Sequence, residues 1–158
     1  MSGRVTDLEV NPNNPTEFYV AYASGGLWHT KNNGTTFSPI MDNSMTQNIG
    51  DFAIDWKSNS IYVGTGESNS SRSSYPGIGI LKSNDNGSTW TNIGLRDSHH
   101  ISRVLVNPNN ENHIVVAVIG HLYTKNTQRG IFTSFDNGKT WEKSLFINDH
   151  TGAIDLVV

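Results

Sequence analysis

Apolar residues in this chain come in short runs, set apart by clusters of Asn, Gly, Pro and Ser. Phe18-Tyr19-Val20-Ala21-Tyr22, Ile61-Tyr62-Val63-Gly64 and Ile114-Val115-Val116-Ala117-Val118 are β-branched and aromatic. Each follows another run, Arg4 to Val10, Asp51 to Trp56 and His100 to Val106. Runs of this length bounded by turn residues predict strands. No window sustains a 3.6-residue apolar period between caps, so little or no helix is expected. The pattern predicts four strands per unit: A near 4–10, 50–56 and 101–106; B at 17–22, 60–65 and 113–119; C at 26–30, 78–83 and 130–134; D at 35–40, 88–93 and 139–146.

The units are repeats. Thr30 to Phe37, Ser83 to Trp90 and Ser134 to Trp141 each read hydroxyl, any residue, Asp or Asn, any, Gly, any, Thr, aromatic. Their glycines, Gly34, Gly87 and Gly138, are 53 and then 51 residues apart. Val10-Asn11-Pro12-Asn13-Asn14 returns as Val106-Asn107-Pro108-Asn109-Asn110, with Ile54-Asp55-Trp56-Lys57 in the same phase between them. Four-stranded antiparallel units at this period are the signature of propeller blades. The expected fold is therefore all-β: about three β-propeller blades plus the first strand of a fourth, an incomplete ring. The units run about 4–47, 48–99 and 100–151, and 152–158 starts the next.

The residues of the repeated turn explain themselves locally. A carboxylate or amide at Asn32, Asp85 and Asp136 accepts from turn N–H groups. Gly34, Gly87 and Gly138 supply a positive φ. Thr30, Ser83 and Ser134 satisfy further backbone groups, and Phe37, Trp90 and Trp141 bury an apolar face between neighbouring units. The turns are read as folding elements. A calcium loop would require alternating acidic ligands ending in Glu, and that pattern is absent.

Composition narrows the function. The chain has 158 residues, 19 Asn, 15 Gly, 16% charged residues and a net charge of −3. Asn and Gly are turn residues, and the scattered Lys and Arg make no basic stripe, so nucleic acid is not an expected partner. No apolar run reaches the ~20 residues of a membrane span. Without Cys there is no disulfide framework, thiolate metal site or thiol nucleophile. No cofactor is expected.

The repeated turns resemble those of the Asp-box, or BNR, repeat family, which includes sialidases, xyloglucanase-like glycoside hydrolases and sortilin/Vps10 propellers. Gly25-Gly26-Leu27-Trp28, Tyr62-Val63-Gly64-Thr65-Gly66-Glu67, His99-His100-Ile101-Ser102-Arg103, Gly120-His121-Leu122 and Arg129-Gly130 are similar to stretches of large bacterial exported proteins labelled glycosyl hydrolase, BNR-repeat or sortilin-like. The resemblance covers nearly the whole chain. It implies a piece of a secreted, periplasmic or cell-surface protein that processes or binds carbohydrate, or a non-enzymatic propeller that binds peptide or glycan. The piece by itself is expected to be inactive. Ala23 and Ser24 stand where xyloglucanase-like enzymes carry an Asp before paired glycines, and the five Arg do not match the sialidase triad.

Propeller topology places the A–B turns and the Asp boxes on one face. The B–C loops (22–26, 66–77, 120–129) and D–A loops (41–49, 94–100, 147–152) lie on the other, where ligands bind. Candidate groups there are Glu67 and Asp97 as a catalytic acid–base pair, with Arg72, Tyr75, His99, His100, Arg103, His121 and Arg129 as ligand contacts. Each has a structural alternative: Glu67 as a loop cap or a partner of Arg72 or Arg103, and the arginines as inter-blade struts. Neighbouring histidines on a strand diverge, so one of His99 and His100 can join His121; no metal is expected. Trp28 and Trp56 read as packing between blades rather than sugar platforms. The open ring predicts exposed flanks, covered by the missing blades or by self-association.

Overall fold

A computed structural model describes residues 3–69 and 71–157. Met1, Ser2, Ser70 and Val158, the last being the end of the expected fourth-unit strand, lie outside the described residues. Among the described residues twelve strands form three four-stranded antiparallel sheets, each a simple meander. The first holds β1 (Val5–Val10), β2 (Phe18–Tyr22), β3 (Gly26–Thr30) and β4 (Ser38–Pro39). The second holds β5 (Ile49–Asp55), β6 (Ser60–Thr65), β7 (Ile80–Ser83) and β8 (Thr91–Asn92). The third holds β9 (Ile101–Asn107), β10 (Asn110–Val118), β11 (Gly130–Ser134) and β12 (Glu142–Leu145). No helix occurs among the described residues. The sheets resemble propeller blades and do not close a ring.

Strand periodicity builds two cores. In the second sheet Phe52, Ile54, Ile61, Val63 and Leu81 face Tyr19, Ala21, Leu27 and Met41 of the first. The intervening Ala53, Tyr62 and Ile80 face Val104, Ile114, Val116 and Phe132 of the third. Successive side chains point to opposite faces, so a sheet packed on both sides is apolar throughout, and β5 is buried at every position. By contrast Val5, Leu8 and Val10 of β1 are exposed. On the far flank Leu105, Val106, His113 and Val115 line an apolar groove of about 320 Å³.

The outermost strands differ from expectation. β4 and β8 are two residues long and β12 is four, against six to eight expected. The repeated turn consumes the first residues of each D segment, while pairing runs one residue past the short strands, Ile40 N donating to Leu27 O (3.0 Å) and Ile93 N to Ile80 O (2.9 Å). Residues 152–157 form no strand, yet they follow the inner-strand path: Ala153 N donates to Val118 O at 2.9 Å, and Ser102 Oγ donates to Ala153 O at 2.9 Å.

The turns close on themselves. Ser83 Oγ accepts from Gly87 N (2.8 Å) and donates to Asp85 Oδ1 (2.7 Å), while Asp85 accepts from Thr89 N (2.8 Å) and Thr89 Oγ1 (2.6 Å). Ser134, Asp136, Gly138 and Thr140 repeat this at 2.8, 2.8, 2.8 and 2.6 Å. In the first unit Thr30, Asn32, Gly34 and Thr36 close the same turn with an amide for the carboxylate, Asn32 Nδ2 donating to the Thr36 hydroxyl instead of accepting from it. Trp90 Nε1 reaches back to Ile40 O (3.1 Å) and Trp141 Nε1 to Ile93 O (2.8 Å), stitching each sheet to the one before. Phe37 packs edge-on against Phe18 of its own sheet at 5.8 Å. Trp56 packs against Tyr19 across the first junction at 5.8 Å.

Candidate functional site

The β2–β3, β6–β7 and β10–β11 loops interlock with the β4–β5, β8–β9 and post-β12 segments through the backbone. Gly26 N donates to Gln47 O (3.0 Å), Gly66 N to Asn48 O (2.9 Å) and Asn126 N to Asp149 O (3.3 Å). This face is a continuous loop lattice. At its second–third junction Gly66 is a required glycine: at φ +87°, a Cβ there would lie 1.8 Å from His99 O.

Glu67 sits two residues past the end of β6, 1% exposed. Its carboxylate receives Arg4 Nε and Nη2, each at 2.6 Å, and Asn69 Nδ2 at 3.0 Å. Sequence reasoning pairs Glu67 with Arg72 or Arg103; the structure pairs it with Arg4, 63 residues away. A carboxylate gripped on both oxygens by a guanidinium is a strut between the first and second units. The Glu67 carbonyl lies 2.8 Å from His100 Nδ1. A carbonyl only accepts, so Nδ1 carries the proton. Burial lowers the His100 pKa, more than that carbonyl restores.

His99 turns the other way. Its backbone is at φ +55°, and its ring stacks on His121 at a 3.6 Å centroid distance. His121 Nε2 lies 3.2 Å from Asp97 Oδ1, and its Nδ1 lies 2.7 Å from Thr124 Oγ1. Asp97, His99 and His121 thus share one spot, whereas Glu67 and His100 belong to a separate hydrogen-bonded group. Burial and the neighbouring His121 lower the His99 pKa, and Asp97 partly opposes them.

Arg129 is buried and spends its guanidinium on backbone carbonyls: Ile119 (2.7 Å), Thr124 (2.8 Å), His150 (3.4 Å) and His121. It shapes the β10–β11 loop and offers a ligand little. Arg103 lies on β9 rather than on the loops, donating to Asp155 at 2.7 Å with Asp51 at 3.5 Å. Arg72 and Tyr75 are exposed on the β6–β7 loop, with no hydrogen bond or ion pair among the described residues. Tyr123, on the β10–β11 loop, is 77% exposed.

Sequence reasoning missed the organisers. Asn126 Nδ2 donates to Asp97 O at 2.8 Å while its Oδ1 accepts from His121 N at 3.1 Å. Gln128 Oε1 accepts from Asp97 N at 2.9 Å. Nothing in the repeat marks these two residues. Asp7, Asp51, Arg103 and Asp155 did carry a signal, because they occupy one repeat position. Asp7, Asp51 and Arg103 sit opposite Ala21, Gly64 and Ala117 in their ladders.

No protein-family model matches the sequence, and no curated protein matches it. Among solved structures, the chain is similar to an ancestral GH74 enzyme (TM-score 0.73, 20% identity, 96% of this chain and 19% of that one). It is also similar to the GH74 xyloglucanase from Xanthomonas campestris (TM-score 0.63, 14% identity, 92% of this chain and 23% of that one). A third match is YCF48 bound to D1 peptide (TM-score 0.59, 14% identity, 89% of this chain and 39% of that one). The chain spans about a fifth of the length of the GH74 enzymes it matches. At these identities the likeness concerns the fold.

Proposed function

We propose that these residues are three units of a larger Asp-box (BNR) propeller of the glycoside-hydrolase kind, and that their loop face binds a carbohydrate chain. In this reading the units run about 4–47, 48–99 and 100–151, and 152–158 opens a fourth. The protein is exported, and the open flanks are covered by further blades or by a second copy. The observation that carries the reading is the division of labour on the loop face. Glu67, the best candidate acid, is buried and committed to Arg4, while Tyr75 and Arg72 on the β6–β7 loop and Tyr123 on the β10–β11 loop stand exposed. Exposed aromatic faces and unpaired donors bind sugars, and a buried strut does not transfer protons to one. Binding is therefore favoured over hydrolysis by this part of the molecule.

The test is calorimetric titration of the chain with a glycan panel that includes xyloglucan oligosaccharides. Saturable binding that weakens about fivefold in Tyr75→Ala or Tyr123→Ala, a loss of about 1 kcal/mol of stacking, supports the reading. Glycoside cleavage abolished by Glu67→Gln would replace it with the catalytic one. A second reading, recognition of an extended peptide, draws on the likeness to YCF48 bound to D1 peptide. Binding to a peptide panel with none to glycans would select it.

A further inference from the structure

Asp97 and His99, on the loop from β8 to β9, and His121, on the loop from β10 to β11, each offer one ligand atom, and the three atoms lie within 4.8 Å of one another. We propose that they form a divalent transition-metal site suited to Zn²⁺, tying the second unit to the third. It is independent of the glycan reading.

Two imidazoles and a carboxylate are the donors that zinc takes, and this set leaves one tetrahedral position for water or an oxygen ligand. Zinc bonds of about 2.0–2.1 Å place neighbouring ligand atoms about 3.3 Å apart. Asp97 Oδ1 and His121 Nε2 are already 3.2 Å apart. The His99 ring, stacked at 3.6 Å and 19° to His121, has to rotate inward to bring its nitrogen to the same centre.

The arrangement is built rather than a chance meeting of exposed side chains. Asn126, 7% exposed, holds the backbone of both Asp97 and His121, and Gln128 holds Asp97 N at 2.9 Å. Thr124 Oγ1, 2.7 Å from His121 Nδ1, leaves Nε2 aimed at Asp97, the outer contact that orients a metal-bound histidine. His99 is held at φ +55°, a conformation uncommon for residues other than Gly and tolerated best by Asn, Asp and His. It turns His99 toward His121, while His100 turns to Glu67 O. Adjacent histidines are thereby divided between two tasks. The sequence expectation of no metal rests on divergent neighbours, and that divergence frees His99 for this cluster.

The experiment titrates the chelator-treated, desalted chain with zinc chloride alone, followed by calorimetry and by thermal melting, with Co²⁺ absorption as a second readout. One equivalent is expected to bind, raise the melting temperature and give a tetrahedral cobalt spectrum. Asp97→Asn, His121→Ala and His99→Asn should each weaken binding at least tenfold. The last keeps a residue that tolerates the positive φ, so it separates lost ligation from a lost turn. His113→Ala, whose ring stacks on Phe135 at 4.9 Å, should bind as the parent does. No saturable uptake at ~1 mM zinc, or uptake unchanged in the three folded variants, overturns the proposal.

Discussion

Asn32 occupies the place of Asp85 and Asp136, and the difference shows how a carboxylate works in these turns. Asn32 Oδ1 accepts from Thr36 N at 2.9 Å, and its Nδ2 donates to Thr36 Oγ1 at 2.9 Å. In the other two turns the hydroxyl reverses and donates to the carboxylate. The Thr89 hydroxyl and N–H hold the Asp85 carboxyl down to about 2, and those of Thr140 do the same for Asp136. A depressed folded pKa gives stability that is present above the ordinary carboxylate value near 3.9 and is lost as pH falls toward 2. Asp85→Asn with Asp136→Asn should therefore melt below the parent at pH 7 and lose less stability between pH 4 and 2, so that the two converge at acid pH, read from melts across that range. Glu67 gives a different residue-scale prediction. Arg4→Ala leaves a buried carboxylate with Asn69 alone, and should cost about 2 kcal/mol by denaturant titration, the partly exposed Arg4 keeping the loss moderate.

The outer strands are too short to hold a sheet edge by pairing alone, so the aromatic that follows each turn does part of that work. Trp141 spans the junction to Ile93 O, and Gly138, at φ +83°, packs against the same residue, a would-be Cβ lying 2.4 Å from Ile93 Cδ1. Trp141→Ala should cost about 3 kcal/mol. Trp141→Phe should cost less, about 1 kcal/mol for the indole bond beyond any packing loss. Gly138→Ala should cost more than about 1 kcal/mol, from the positive φ and the contact together. Denaturant midpoints of the three variants rank these effects, and a Gly138→Ala protein as stable as the parent would show that the junction gives way easily. The turns were legible because every partner lies within the same eight residues. The outer strands were overestimated because the repeated turn takes up the first residues of each D segment, whose pattern reads on into the strand.

Across the whole molecule the inner strands carry a row of charges at one repeat position. Asp51 is 2% exposed and accepts Val104 N at 2.7 Å, joining the second unit to the third. Burial first, and then the Asp7 carboxylate, push its pKa to about 8. Val104 N–H and Arg103 pull it down, but Arg103 spends its closer contact on Asp155. A folded pKa raised above the unfolded value makes stability fall as pH rises through the window from about 4 to 8, then level off. Asp51→Asn retains an acceptor for Val104 N and should flatten that slope in melts between pH 4 and 8. An unchanged slope would place the titrating group elsewhere, with Glu9, pushed to about 7 chiefly by burial, next in line.

The sequence alone determined the strand runs, the repeat, the self-contained turns and the meander within each unit. Those features depend on a period of two and on hydrogen bonds between near neighbours, which leave their mark in local composition. It also placed Asp97, His99 and His121 on one loop face. Only the tertiary structure decided that Arg4 takes Glu67, that His99 and not His100 meets His121, and that Asn126 ties their loops together. Those meetings join residues from different units or non-equivalent repeat positions, and they follow from the stacking of one sheet on the next, a geometry that no stretch of chain encodes by itself.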